Sequence, residues 1–351
     1  MNHAASRRPS ASDAACRGVI AAFVALVTGA AHVVAQSTDM EGRRDAAGEA
    51  RGTALGDAFA MAVPDERAEL IAVRRSPELV APESVGFDPT RFARVDSIIH
   101  HALSQGASPG AALVVGRHGK LVRVHGYGYT DWGPFAPVVT DSTLYDLASL
   151  TKAMGTATVA IQLAGEGRLL LNAPIHRYLR DWPASGLHAD ITVRHLLGHT
   201  SGLPVGADLW PGWRPRSEIV AALGLLKVRS TPGTRREYSD VGMILLGAVL
   251  EEVSGSRLDD LLEMRVFRPL AMSDTRFNPL TAHGEYGGFT LARIAPTEKD
   301  NYVRRTLVHG VVHDLNAWAM DGVAGHAGLF SSARDMAVYG QALLDAAHGL
   351  D

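Results

Sequence analysis

Cysteine is almost absent from this sequence, and its scarcity excludes several kinds of chemistry at once. The 351 residues include one cysteine, Cys16, so no intramolecular disulfide, thiolate metal site or cysteine nucleophile can form in the body of the chain. An excess of charge is lacking too, because the formal net charge is −3. That balance gives no electrostatic reason to expect nucleic acid or an anionic membrane surface as a partner. With 46% hydrophobic and 20% charged residues, the composition is that of an ordinary globular protein.

The chain has one pronounced apolar stretch near its start, from Gly18 to Ala35. Arginines at positions 7, 8 and 17 precede it, and Val33 and Ala35 are small residues at the two positions that a signal peptidase reads. We therefore predict a signal peptide over residues 1–35, cleaved after Ala35, and a periplasmic or secreted protein. An uncleaved membrane anchor is the alternative, since the stretch approaches the length of a bilayer core.

The remainder divides into a leader and a folded body. Residues 36–80 show weak periodicity and are predicted to be a flexible leader, and residues 81–351 are predicted to form one domain. An amphipathic helix is expected from Arg91 to Leu103, followed by a β-hairpin over residues 110–129 and a mainly helical subdomain over about 150–269. Further helices are expected from Leu150 to Glu166, from Val241 to Ser254 and from Ala333 to Ala347. This succession predicts an α+β fold, with an antiparallel sheet flanked by helices and a helical subdomain.

Ser149-Leu150-Thr151-Lys152 opens one of these predicted helices. Three-residue spacing at a helix start places the serine hydroxyl and the lysine amine on one face, within hydrogen-bond reach. Such a lysine can activate a serine as a nucleophile if its surroundings favour the neutral amine. The motif is common by chance, however, and an N-cap serine beside a surface lysine is the alternative interpretation.

Two further segments favour the nucleophile over the cap. They are His199-Thr200-Ser201-Gly202-Leu203-Pro204, and Tyr238-Ser239-Asp240 soon after Pro232-Gly233. In this order the three resemble the β-lactamase and penicillin-binding-protein family, in its class C-like branch, over residues 80–351. The resemblance implies a β-lactamase/transpeptidase-like fold without metal or organic cofactor. It implies that Ser149 is the acylated nucleophile, Lys152 the base and Tyr238 the proton relay to the leaving group. The backbone N–H of Ser149 would form half of the oxyanion hole.

The sequence departs from the family pattern at Asp240, where the family most often has asparagine. An ionised acid cannot donate a hydrogen bond, which places the amide contact made by asparagine in doubt. His326-Ala327-Gly328 fits the family's third element formally, so His326 and Gly328 are candidate substrate-binding or supporting residues. Their surroundings look like a glycine-rich segment that precedes the true third element. The resemblance therefore implies that C-terminal strands, with a His-x-Gly or Lys-Thr-Gly element, would follow Asp351.

Other interpretations of single motifs are weaker. The Gly-x-Ser-x-Gly pattern over residues 106–110 lacks the strand-then-helix context of a nucleophile elbow. Two histidine pairs, His195/His199 and His309/His313, are separated by one helical turn but lack the glutamate of a zinc motif, so structural histidines and no metal site are expected. His313 and Asp314 are candidates for shaping the cleft.

The expected function is hydrolysis of amide or ester bonds through an acyl-enzyme. D-alanyl peptides, β-lactams and small esters are all candidate substrates, and so the partner is a small molecule or a peptidoglycan peptide; pocket shape decides among them. The alternative is a catalytically impaired fragment, or a non-catalytic envelope protein that binds peptidoglycan.

Overall fold

The computed structural model describes residues 77–212, 218–282 and 287–349. The predicted signal peptide and nearly all of the predicted leader lie outside the described residues. Within the described ranges, no helix is long and apolar enough to cross a membrane. The described chain begins with two 3-10 turns, Pro82–Val85 and Pro89–Arg91.

A helix and a hairpin form the first layer, as predicted. Helix α1 (Phe92–Ser104) contacts strand β2 (Lys120–Gly128), which pairs antiparallel with β1 (Gly110–Arg117). The connecting residues, His118 and Gly119, have φ of 53° and 73°, the left-handed backbone that a two-residue type I′ turn requires. The predicted hairpin is therefore confirmed, with its turn at the polar, glycine-containing stretch.

The helices that follow enclose the main apolar core. Their bounds are a π-helix at Lys152–Ala157, then α2 (Thr158–Gly165), α3 (Gly186–Ala189), α4 (Val193–Leu197), α5 (Ile219–Gly224), α6 (Asp240–Ser254), α7 (Leu258–Leu262) and a second π-helix at Glu263–Phe267. Short 3-10 turns lie at Ile175–Arg177 and Trp210–Gly212. Apolar side chains with no exposed surface line this core: Val159, Leu163, Ile191, Leu196, Leu223, Leu245, Leu246 and Leu258. Burial of these side chains is the main term holding the helices together.

A short three-stranded sheet lies in contact with these helices. Its order is β3 (Tyr145–Asp146), β7 (Leu329–Ser331) and β4 (Arg276–Phe277), all antiparallel. Strands β5 (Glu298–Asp300) and β6 (Thr306–Val308) form a separate pair, after a 3-10 turn at Leu291–Arg293. Helix α8 (Leu315–Ala319) follows, and α9 (Ala333–Ala347) contacts β1. The combination of helices with antiparallel strands confirms the predicted α+β class. The described strands form separate small sheets of two or three strands.

Asp335, in the first turn of α9, is a buried carboxylate that gives the fold a pH dependence. Its Oδ2 accepts hydrogen bonds from the backbone N–H of Asp274 and the hydroxyl of Thr275. Burial nevertheless raises the pKa of Asp335 to about 6, from 3.8. The folded state thus holds this proton more tightly than the unfolded state, and its stability falls as pH rises from about 4 to about 6.

We expect Asp335→Asn to remove this dependence while keeping an oxygen acceptor for both donors. Relative to wild type, the variant should gain up to about 3 kcal/mol in free energy of unfolding between pH 4 and pH 7. Urea unfolding at both pH values measures the difference. If the free energies of unfolding of wild type and variant differed by the same amount at both pH values, the raised pKa of Asp335 would be contradicted.

Candidate active site

Ser149 lies on a tight turn between strand β3 and the first helical residues. The residue before it, Ala148, has φ of 45°, a left-handed conformation that costs energy for a residue with a Cβ. The carboxylate of Asp146 stabilises the turn by accepting a hydrogen bond from the N–H of Ala148 at 2.8 Å. Ser149 is exposed, so its hydroxyl is accessible at the end of the strand.

Lys152, one helical turn after Ser149, is buried, with 6% of its surface exposed. Its Nζ donates to Ser149 Oγ at 2.9 Å and to the backbone carbonyl of His326 at 2.9 Å. The residue begins the π-helix, a rare local winding that is often found at functional sites. The structure therefore excludes the interpretation of Ser149 and Lys152 as a cap and a surface lysine.

Asp240 compensates the buried ammonium group. Its Oδ1 lies 2.7 Å from Lys152 Nζ, because Asp240 is the first residue of α6 and that helix starts beside the site. The hydroxyl of Ser239 caps the helix by accepting from the N–H of Gly242 at 3.0 Å. A buried cation without a counter-charge would be strongly unfavourable. This ion pair gives Asp240 a structural role beside the buried amine.

Tyr238 lies against the same lysine, at the exposed side of the site. Lys152 Nζ is 4.9 Å from the centroid of its ring, and the ring of His199 packs on it with centroids 4.7 Å apart. His199 Nδ1 accepts a hydrogen bond from the N–H of Ser239 at 3.1 Å. Burial, with the positive charges of Lys152 and Arg236, lowers the pKa of His199, so a neutral imidazole packs on Tyr238 at neutral pH.

His326 contacts the site through its backbone, and Gly328 has a role in the fold. The His326 side chain is 1% exposed, and its Nε2 lies 2.8 Å from Asp314 Oδ1. Gly328 has φ of 119°, and a Cβ there would approach the carbonyl oxygen of Gly322 at 2.5 Å. The structure thus brings Ser149, Lys152, Tyr238, Asp240 and the His326 carbonyl together. Substrate binding by His326 and Gly328 stays a prediction.

The chain that carries this site is similar to known proteins. A profile described as Beta-lactamase matches residues 95–350. The chain belongs to the beta-lactamase family. It is 30% identical over 298 residues to a Bacillus subtilis (strain 168) protein named N-acetylmuramyl-L-alanine amidase, covering 77% of this chain and 66% of that one. The chain thus spans slightly less than two thirds of the length of that curated relative.

Solved structures of the beta-lactamase family share the fold. A class C beta lactamase superposes with a TM-score of 0.59 at 24% identity, over 73% of this chain and 66% of that one. A beta-lactamase/D-alanine carboxypeptidase from Yersinia pestis gives 0.54 at 24% identity, over 73% and 69%. The predicted β-lactamase/transpeptidase-like fold is therefore confirmed.

Three residues that contact the site had no catalytic role assigned from sequence, although Asp314 was a candidate for shaping the cleft. Asp146 links the Ser149 turn to a distant segment, since its second oxygen accepts from the N–H of His313 at 2.7 Å. Asp314 holds the side chain of His326, and His199 packs on Tyr238. Only the Asp146 contact with Ala148 is local, because an aspartate side chain commonly accepts a hydrogen bond from the backbone N–H two residues later. The other two contacts depend on tertiary packing.

The side chains behind the weaker motifs have partners of their own. Ser108, in the Gly-x-Ser-x-Gly pattern, lies between α1 and β1 and donates to the carbonyl of Gly110 at 2.8 Å. Its position after a helix and before a strand confirms that this is no nucleophile elbow. His195 Nδ1 accepts from the N–H of Thr192 in a capping box, and His309 Nε2 bonds the carbonyl of Ile294 at 2.7 Å. These contacts agree with the structural interpretation of both histidines.

Proposed function

We propose that this chain is a serine hydrolase that cleaves amide or ester bonds through an acyl-enzyme on Ser149. The observation that carries the proposal is the 2.9 Å contact between Ser149 Oγ and the buried amine of Lys152. A serine hydroxyl is a weak nucleophile until an adjacent base accepts its proton. Membership of the beta-lactamase family and the order of the three motifs support the same assignment.

Acylation needs Lys152 in its neutral form. As Ser149 Oγ attacks the substrate carbonyl, the hydroxyl proton passes to Lys152 Nζ, and a C–O bond forms. The carbonyl π-electrons move to the oxygen, and we assign the backbone N–H of Ser149 as a donor that stabilises that charge. Collapse of the intermediate expels the amine or alcohol, which takes a proton through Tyr238. Water then hydrolyses the ester on Ser149 by the reverse proton path.

The substrate class and the location are proposed from the names of similar proteins and from the N-terminal apolar segment. A relative is named N-acetylmuramyl-L-alanine amidase and a structural neighbour beta-lactamase/D-alanine carboxypeptidase, and both names denote amide bonds of cell-wall peptides or their analogues. We propose peptidoglycan peptides as the substrate class, with small esters as accessible surrogates. The apolar segment Gly18–Ala35, preceded by arginines, supports a periplasmic or secreted location. No nucleic-acid partner is proposed.

The test is a substrate panel on the full chain. A D-alanyl-D-alanine peptide, an N-acetylmuramyl-L-alanine amide, a chromogenic cephalosporin and a p-nitrophenyl ester would each be incubated with wild type and with Ser149→Ala. Serine-dependent turnover of at least one compound supports the proposal, and the preferred compound identifies the bond. If no compound is turned over but the peptides bind, the chain is a non-catalytic peptidoglycan-binding protein, and the proposal is wrong.

Tyr238→Phe separates the role of the phenol from that of the ring. The variant keeps the ring contacts with Lys152 and His199 but loses the hydroxyl that delivers a proton to the leaving group. An amine leaves slowly without a proton, whereas p-nitrophenolate leaves readily. We therefore expect kcat to fall about 100-fold for the amide and less than about tenfold for the p-nitrophenyl ester. Equal losses for both substrates would show that Tyr238 does not protonate the leaving group.

A further inference from the structure

Three oxygen atoms surround the amine of Lys152: two of them accept its hydrogen bonds, and the third forms an ion pair with it. Ser149 Oγ and the His326 carbonyl oxygen both lie 2.9 Å from Nζ, and Asp240 Oδ1 lies at 2.7 Å. A lysine ammonium has three donors and no acceptor. The neutral amine has two donors and one lone pair. If one N–H of the neutral amine stays directed at the His326 carbonyl and the second faces Asp240, the lone pair is left for the serine hydroxyl.

The carbonyl of His326 accepts a hydrogen bond from the base and can orient it, and this carbonyl belongs to a closely packed loop. The neighbouring carbonyl, of Gly325, accepts from the Thr156 hydroxyl at 2.7 Å. A Cβ on Gly325 would lie 2.2 Å from the carbonyl oxygen of Met243 and 3.1 Å from the nitrogen of Gly247. The loop thus has little space beside the π-helix and α6, and the buried His326 side chain holds it at a further point through its contact with Asp314.

Asp314 holds that side chain. Its Oδ1 lies 2.8 Å from His326 Nε2 and also accepts from the N–H of Ala317 at 2.8 Å, which caps α8. Burial raises the pKa of Asp314, but the hydrogen bond and charge of His326, with the N–H groups of Ala317 and Asn316, lower it to about 2. The carboxylate is therefore ionised at neutral pH. A charge-assisted hydrogen bond of this kind is stronger than a neutral one.

We propose that Asp314 and His326 form a positioning pair that orients Lys152. Asp314 fixes the imidazole, the imidazole fixes the carbonyl of its own residue, and that carbonyl directs the lone pair of Lys152 at Ser149. The adjacent residue supports this arrangement, since the N–H of His313 binds the Asp146 carboxylate that stabilises the Ser149 turn. The two neighbouring residues His313 and Asp314 thus contact the turn of the nucleophile, through Asp146, and the residue that binds the base, His326. This inference rests on the proposed function.

Two substitutions at Asp314 separate its cap from its contact with His326. Asp314→Ser keeps an N-cap hydroxyl for α8, but the shorter side chain does not reach His326 Nε2. Asp314→Asn keeps both the cap acceptor and an oxygen facing the imidazole. Asp259→Ser, which removes a carboxylate paired with Arg257, serves as a matched control. Single-turnover acylation by a p-nitrophenyl ester gives the acylation rate constant and the half-saturating concentration for each variant.

We expect Asp314→Ser to lower the acylation rate constant about 10- to 100-fold, with the half-saturating concentration within about twofold of wild type, because the base is misdirected while binding is retained. Asp314→Asn should recover most of the rate. Equal rates for Asp314→Ser and wild type, or equal losses in the serine and asparagine variants, would overturn the inference. Absence of acylation in the wild-type chain would instead contradict the proposed function.

Discussion

Ser149→Ala is expected to reduce hydrolysis of a p-nitrophenyl ester by about four orders of magnitude or more. Removing Oγ removes the only protein atom that bonds covalently to substrate in the proposed reaction, and loss of a serine nucleophile has effects of this size in serine hydrolases. The side chain is exposed and accepts a hydrogen bond from Lys152 Nζ. The fold should therefore tolerate the change. Steady-state rates at saturating ester, corrected for spontaneous hydrolysis, give the measurement.

Ser108→Ala is the matched control for this variant. Ser108 also lies next to a strand and also resembles a nucleophile motif, but its hydroxyl donates to the carbonyl of Gly110. We expect this variant to retain wild-type turnover. The account would be contradicted if Ser149→Ala kept its activity, or if Ser108→Ala lost it while remaining folded by circular dichroism.

Lys152→Met is expected to lower the acylation rate constant by about 100- to 10,000-fold, the usual contribution of a general base. Methionine has a similar length and fills the buried space, but it cannot accept the proton of Ser149. The substitution also leaves the Asp240 carboxylate without its ion-pair partner, which destabilises the fold. Single-turnover kinetics measure the rate, and thermal unfolding measures the stability.

A second variant separates these two effects. Adding Asp240→Asn to Lys152→Met removes the unpaired charge, so the double variant should regain stability without regaining acylation. Lys227→Met, at an exposed position, controls for the general loss of a lysine. Recovery of acylation together with stability in the double variant would show that Lys152 has a structural role only.

The positions of some helices could be predicted from the sequence, because both the apolar periodicity and the capping residues at the helix ends were present. Helix α9 was expected from Ala333 to Ala347 and is observed at Ala333–Ala347, after an N-cap at Ser332. The helix expected from Val241 is observed at Asp240–Ser254 and ends at Gly255 with φ of 74°. In such helices the local sequence and the tertiary packing favour the same residues.

The π-helical winding after Ser149 could not be predicted in this way. One continuous helix was expected from Leu150 to Glu166, whereas residues Lys152–Ala157 form a π-helix. The winding is accompanied by close packing of Gly155, where a Cβ would meet the Leu262 side chain at 2.5 Å. Periodicity within one segment contains no information about this distant neighbour.

The candidate site shows the same division between local and tertiary signals. Ser149, Lys152 and Tyr238 were predicted from motifs, because their residue types and order resemble those of a known family. The partners that orient them depend on contacts between distant positions, such as Lys152 with the His326 carbonyl and Asp146 with the His313 N–H. No single motif contains both members of these pairs.

The identity of the nucleophile is tested most directly by mapping a covalent adduct. The full chain would be treated with an alkyl fluorophosphonate, and intact mass followed by peptide mapping would locate the modified residue. We predict one adduct per chain, on Ser149, absent in Ser149→Ala and retained in Ser108→Ala. An unmodified wild-type chain, or an adduct on a different residue, would contradict the account.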